Sequence, residues 1–176
     1  ECMEVRIALP KTFGSLSVST VHGDIDVKKL ALSDLSLQTT HGDISMFQVK
    51  VTGEVPSPSD VNFNAKTTKG NILADRSGSL HGAVNFTTVN GSVKFFNLYG
   101  KNILAKSVDG DVKGFIIGVP EDYTVISTTI HGEKVVPRSY YGPNLLKASS
   151  VNGDIDVDFR SPEEAEASDS AEQAGS

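Results

Sequence analysis

The sequence predicts an all-β chain wound as a single-stranded parallel β-helix, a β-solenoid of about seven coils of roughly 20 residues each, with an N-terminal capping strand. Three observations carry that reading. A Thr/Ser-x-x-Gly-Asp-Ile unit recurs with its glycines at Gly23, Gly42, Gly70, Gly91, Gly110, Gly132 and Gly153, separated by 19, 28, 21, 19, 22 and 21 residues. Upstream of each glycine, apolar residues alternate with polar ones, the period of a strand with one face in a core. The same residue types also fall in the same columns of every copy.

Three positions before the glycines stand Thr20, Thr39, Thr67, Thr88, Ser107, Thr129 and Ser150. Two positions after them come Ile25, Ile44, Ile72, Val93, Val112, Lys134 and Ile155, an apolar column broken only by Lys134. Seven positions before them lie Leu16, Leu35, Phe63, Val84, Ile103, Val125 and Leu146. Each unit therefore reads as strand, tight x-Gly-Asp turn, strand, with the glycine supplying positive φ at the corner. Separate hairpins in a sandwich also fit turns such as His-Gly and Asn-Gly. The constant columns favour the solenoid, because stacked coils place like on like at about 4.8 Å, so a hydroxyl ladder and an apolar spine can run through the stack.

Val5, Ile7 and Leu9 alternate until Pro10 and are expected to form the strand that covers the open first coil. Lys28 to Asp34 is a near-minimal connection between coils. Val55 to Asp60, with Pro56 and Pro58, reads as a protruding loop. Gly78 to Gly82 reads as a secondary corner, while Gly114 to Pro120 and Pro137 to Pro143 read as irregular connections, the latter carrying Tyr140 and Tyr141.

The solenoid is assigned to residues 1–160 and an acidic tail to 161–176. That tail holds Glu163, Glu164, Glu166, Asp169 and Glu172 with no Lys or Arg, a composition that predicts disorder. Setting these five acids aside takes the formal charge from −6 to −1, so the repeat region is nearly neutral. Such a balance lacks the basic patch a nucleic-acid binder needs. No apolar run approaches the roughly 20 residues of a membrane span. Cys2 is the only cysteine, so no intramolecular disulfide forms and the compartment is not legible from redox chemistry. A chain opening on Glu1 reads as a fragment or processed form whose targeting segment is out of view.

Candidate chemistry concentrates at the corners. The position after the glycine holds Asp24, Asp43, Asn71, Ser92, Asp111, Glu133 and Asp154. Stacking would bring Asp111, Glu133 and Asp154 into a run of carboxylates, the kind of group that takes Ca²⁺ or another hard cation. The competing reading is that Asp after glycine bonds its own backbone in an Asx turn. Before the glycine, His22 and His41 would be neighbours on adjacent coils and could begin a Zn²⁺ site, but His is also at home in left-handed turn geometry. Asp109 and Asp111 could act as acid and base in a β-helix enzyme on polysaccharides, yet they flank one corner glycine. No nucleophile elbow, His-Glu-x-x-His or phosphate-binding glycine loop occurs. The expectation is therefore no catalytic residue, no cofactor and no resident metal. Asn85-Phe86-Thr87 and Asn90-Gly91-Ser92 match the glycosylation sequon but lie within repeat positions, so they carry no inference of secretion.

Thr39-Thr40-His41-Gly42-Asp43-Ile44 and Ser150-Val151-Asn152-Gly153-Asp154-Ile155, with the entry Leu9-Pro10-Lys11 before Gly14 to Val18, resemble the adhesin-like repeat domain found widely in bacteria and in some eukaryotic proteins. The resemblance covers residues 3 to 160. It implies a β-solenoid, a binding or scaffold role without catalytic residues, and a cell-envelope or other extracytoplasmic location. The function expected is a non-catalytic module that binds a protein or polysaccharide, with self-association through the solenoid ends as a further route. The alternative is a carbohydrate-active lyase or hydrolase, which would need acids from several coils converging on an open groove.

Overall fold

A computed structural model describes residues 12–54, 57 and 60–164. The expected N-terminal strand at Val5 to Leu9, the tail beyond Glu164, and Val55, Pro56, Pro58 and Ser59 of the proline loop lie outside the described residues. The strands are β1 (Thr12–His22), β2 (Ile25–His41), β3 (Ile44–Val51), β4 (Val61–Lys66), β5 (Ile72–Asp75), β6 (Gly78–Ser79) and β7 (Ala83–Thr87). They continue as β8 (Val93–Leu98), β9 (Asn102–Lys106), β10 (Val112–Ile117), β11 (Tyr123–Thr128), β12 (Lys134–Val135), β13 (Asn144–Ser149) and β14 (Ile155–Arg160).

All of the pairings among these strands are parallel, which decides for stacked coils against hairpins. A two-residue hairpin joins antiparallel strands only. One side of the stack is β1, the second half of β2, then β4, β7, β9, β13 and β11; the next side is the first half of β2, then β3, β5, β8, β10, β14 and β12. Leu35, Phe63, Val84, Ile103 and Leu146 stack in register and are fully buried, as the column predicts. Ile44, Ile72, Val93, Val112 and Ile155 form the facing spine. Phe63 meets Phe86 edge-on across coils, at 5.6 Å between centroids.

The cross-section has a further corner. Lys29, Gln48, Arg76 and Asn97 have φ of 54°, 55°, 48° and 52°, and each stands six residues past its coil's glycine. These left-handed residues turn the chain onto a short third side, where Leu30 and Leu32 stack beside Val49 and Val51, followed by β6. The apolar spacing announces it, stretching from two to three residues between Val27 and Leu30 and between Met46 and Val49. The fifth coil loses this corner. Gly114 to Ile117, expected as irregular connection, belongs to β10, which shifts register against β8 there. Gly114 permits the straight path, because a Cβ on it would overlap the Phe95 carbonyl oxygen.

The coils do not stack in sequence order. β9 pairs with β13 and β10 with β14, so the seventh coil sits directly on the fifth; the sixth, β11 and β12, stacks outside the seventh and ends the solenoid. The sequence contains the physical reason. Lys134 occupies the spine column, and in an interior coil its ammonium would be buried without a partner. At the end of the stack it is exposed, while Ile155 takes the interior place. A polar terminal repeat is how solenoids end without sticking. The segment after β12 completes the cap: Ser139 Oγ accepts the outward Val125 N–H at 3.0 Å, and Thr124 Oγ1 donates to the Gly142 carbonyl at 2.9 Å.

Two tyrosines are held in the stack, Tyr123 buried and Tyr99 half-buried. Tyr123 donates its hydroxyl to the Gly100 carbonyl at 2.7 Å. Burial pushes both Tyr99 and Tyr123 up to about 12, from an ordinary 10.0. Because the folded state resists ionising them, their contribution is complete below pH 10 and is lost as pH rises from 10 toward about 12. Alkaline unfolding followed by circular dichroism should begin in that window, together with phenolate absorbance. In a chain whose exposed Tyr140 and Tyr141 are replaced by phenylalanine, a phenolate signal that appears at pH 10 with the fold intact would show that these rings are solvated.

Candidate functional site

The x-Gly-Asp corners form one continuous ridge, and its polar groups are organised in three ladders. In the first, each Thr or Ser hydroxyl donates to the glycine carbonyl of the coil beneath. Thr39 Oγ1 bonds Gly23 O at 3.1 Å, Thr67 bonds Gly42 at 3.0 Å, Thr88 bonds Gly70 at 2.9 Å and Ser107 bonds Gly91 at 2.7 Å. Ser150 bonds Gly110 at 2.9 Å and Thr129 bonds Gly153 at 2.9 Å, following the permuted order. Thr20, with no described coil beneath it, turns to the His22 carbonyl at 3.1 Å. The hydroxyl column thus bonds carbonyls and not other hydroxyls, because a corner carbonyl tilted out of the sheet has no ladder N–H to receive. Thr88→Val keeps the shape and removes the donor, leaving a partnerless carbonyl in a closed stack. The expected loss is about 1–3 kcal/mol in denaturant unfolding. Unchanged stability would show that the hydroxyl is dispensable.

The second ladder uses the residue after each glycine. Asp24 Oδ1 accepts the Asp43 N–H at 2.8 Å, Asp43 that of Asn71 at 2.6 Å, Asn71 that of Ser92 at 2.9 Å and Ser92 Oγ that of Asp111 at 3.1 Å. Asp111 then accepts from Asp154 at 2.9 Å and Asp154 from Glu133 at 3.0 Å. The expected Asx turn onto the residue's own backbone is therefore replaced by a bond to the next coil, about 4.8 Å away and within reach of a short side chain.

Asp111, Asp154 and Glu133 are consecutive rungs with Asp154 in the middle, Glu133 joining through its backbone N–H. Lys113 stands between the first two, its Nζ 2.9 Å from Asp111 and 3.7 Å from Asp154. The Lys113 hydrogen bond, aided by the Asp154 N–H, holds the Asp111 carboxyl below its usual range, and Asp111 in turn raises Lys113. An ammonium thus sits against the two carboxylates offered to a hard cation. Among the described residues, no three or more His, Cys, Asp or Glu side chains are arranged to hold a metal.

The third ladder is the residue before the glycine. His22 and His41 are neighbours with rings stacked at 4.8 Å and 10° between planes. Farther along, Asn152 donates to Asp109 Oδ1 at 2.6 Å, and His131 Nδ1 lies 3.0 Å from Asn152 Oδ1. Asp109 and Asp111 are each tied to the seventh coil, so the pair proposed as acid and base is engaged in holding coils together.

Sequence reasoning missed an aromatic stripe on the outward face of the second side. Phe47, Phe96 and Phe115 point away from the core on β3, β8 and β10, with Leu73 and Lys94 beside them. Phe96 is 42% exposed and Leu73 38%. Arg76 lies over Phe47 at 5.5 Å and Arg160 over Phe115 at 3.6 Å. The signal was present in the strands: Phe96 follows Phe95 and Phe115 precedes Ile116, each an apolar residue in a place where alternation calls for a polar one.

No curated protein and no solved structure matches the chain. The family model described as Toastrack DUF4097 matches residues 1–176, and its β-helical character agrees with the parallel coils seen here. The chain belongs to the Toastrack DUF4097 family.

Proposed function

We propose that this chain is a non-catalytic binding and assembly module of the adhesin-like kind, which presents the outer surface of its second side to a protein partner. The observation that carries this is the outward column of Phe47, Phe96 and Phe115, interrupted by Asp75 between the first two, with Leu73 and Lys94 in the neighbouring column. Aromatic residues and arginine, here Arg76 over Phe47 and Arg160 over Phe115, are enriched at interfaces. The corner acids support the same reading over a carbohydrate-active enzyme, since Asp24, Asp43, Asp111 and Asp154 each accept a backbone N–H of the next coil. Growth from the sixth-coil end is opposed by Lys134 in the spine column and by Ser139 on the outer strand.

The test is photo-cross-linking from position 96 in cells, followed by affinity measurement with the purified partner. Phe96→Ser should weaken binding at least about tenfold while leaving thermal unfolding unchanged. Retained affinity in Phe96→Ser sinks the assignment of this face. Release of new reducing ends from a polysaccharide panel, abolished by Asp109→Asn with Asp111→Asn, would establish the enzyme instead.

A further inference from the structure

The chain leaves the fifth coil at Ile117, passes the level of the seventh, builds the sixth, and returns through residues 136–143 to fill the gap. The seventh coil therefore lies between two coils that both precede it in sequence. Its ladder bonds repeat those made elsewhere: Ser150 Oγ to Gly110 and Asp154 N–H to Asp111 on one side, Thr129 Oγ1 and Glu133 N–H onto Gly153 and Asp154 on the other. None of these bonds requires the seventh coil to come from the same chain. The return segment is a strained hinge. Tyr141 is 87% exposed and held at φ 61°, a left-handed conformation that burdens a bulky residue. Next to it, Gly142 lies so close to the backbone of Asp122 and Tyr123 that no Cβ fits. Pro137 and Pro143 flank the turn. Short hinges under strain favour exchange of the element they carry.

We propose that the slot between the fifth and sixth coils accepts the seventh coil of a second copy, so that two chains exchange residues 144–160 and close into a twofold dimer. The same hydrogen bonds are made between chains as within one, and opening the hinge releases Tyr141. Exchange in both directions closes the assembly at two copies instead of a fibre.

Lys106 and Ser149 are register partners on the outward face of β9 and β13. Adjacent parallel strands lie about 4.8 Å apart, within disulfide reach. In a Cys2→Ser background, chains bearing Lys106→Cys and chains bearing Ser149→Cys are unfolded together, refolded at high concentration and oxidised. The expected product is a dimer cross-linked between the two kinds of chain. Tyr141→Gly, which removes the hinge strain without touching the stack, should lower the dimer fraction about fivefold. Monomer at every concentration overturns the proposal. So does a dimer that forms without the inter-chain cross-link, since it would use another surface.

Discussion

Replacing Gly91 by alanine is expected to destabilise the solenoid by about 3–5 kcal/mol, the joint cost of overpacking and of severed hydrogen bonds. A Cβ on Gly91 would overlap the Gly70 carbonyl oxygen, and the neighbouring Asn71 nitrogen is also close. The φ of 156° at Gly91 adds to the penalty, though it is the smaller part. Relief requires the third and fourth coils to move apart at the corner. That movement would stretch the Thr88 hydroxyl bond to Gly70 and the Asn71 side-chain bond to the Ser92 N–H. Gly42, Gly70, Gly110, Gly132 and Gly153 meet the corresponding carbonyl in the same way, whereas Gly23, at the first coil, meets among the described residues only Thr20 Oγ1 at 3.9 Å. Gly23→Ala should therefore cost much less than Gly91→Ala in the same denaturant titration. Equal costs would mean that backbone conformation alone, and not coil contact, selects glycine at the corner.

The contrast between these two glycines marks how far the sequence was legible. The columns predicted coils, core and corner because each rests on a local period, and Leu35, Phe63, Ile72 and Val93 are all buried where the alternation puts them. What the corner residues bond to was not legible, since Asp24 looks the same whether it turns to its own backbone or reaches Asp43 on the next coil. The second corner was written in the spacing of Val27 to Leu30, but its left-handed positions hold Lys29, Gln48, Arg76 and Asn97, with no glycine to announce them. The bridging place of Lys113 was not legible because only Asp111, two residues before it, is near in sequence, while Asp154 is distant and becomes its neighbour only through the permuted stack. The same permutation put Asp154, and not Glu133, next to Asp111. Sequence spacing alone supplies the membership of a ladder; the order of its rungs depends on which coil tolerates the end.

That order yields the second large effect. Ile155 is 0% exposed, between Val112 of the fifth coil and Lys134 of the sixth. Ile155→Lys places an ammonium in the interior spine with no acid facing it, and the expected loss is about 3–5 kcal/mol, enough to unfold a marginal domain at ordinary temperature. Lys134→Ile works in the opposite sense. It exchanges a solvated cation for an apolar side chain resting on Ile155, and stability should change by no more than about 1 kcal/mol. Had the coils stacked in sequence order, the two results would be reversed, because the sixth coil would be interior and the seventh would be the cap. Lys134→Ile would then relieve a buried charge and raise stability by several kcal/mol, while Ile155→Lys would be tolerated in water. A pair of denaturant titrations on these single substitutions thus reads the topology directly, since one residue type in one column is harmful inside the stack and harmless at its end.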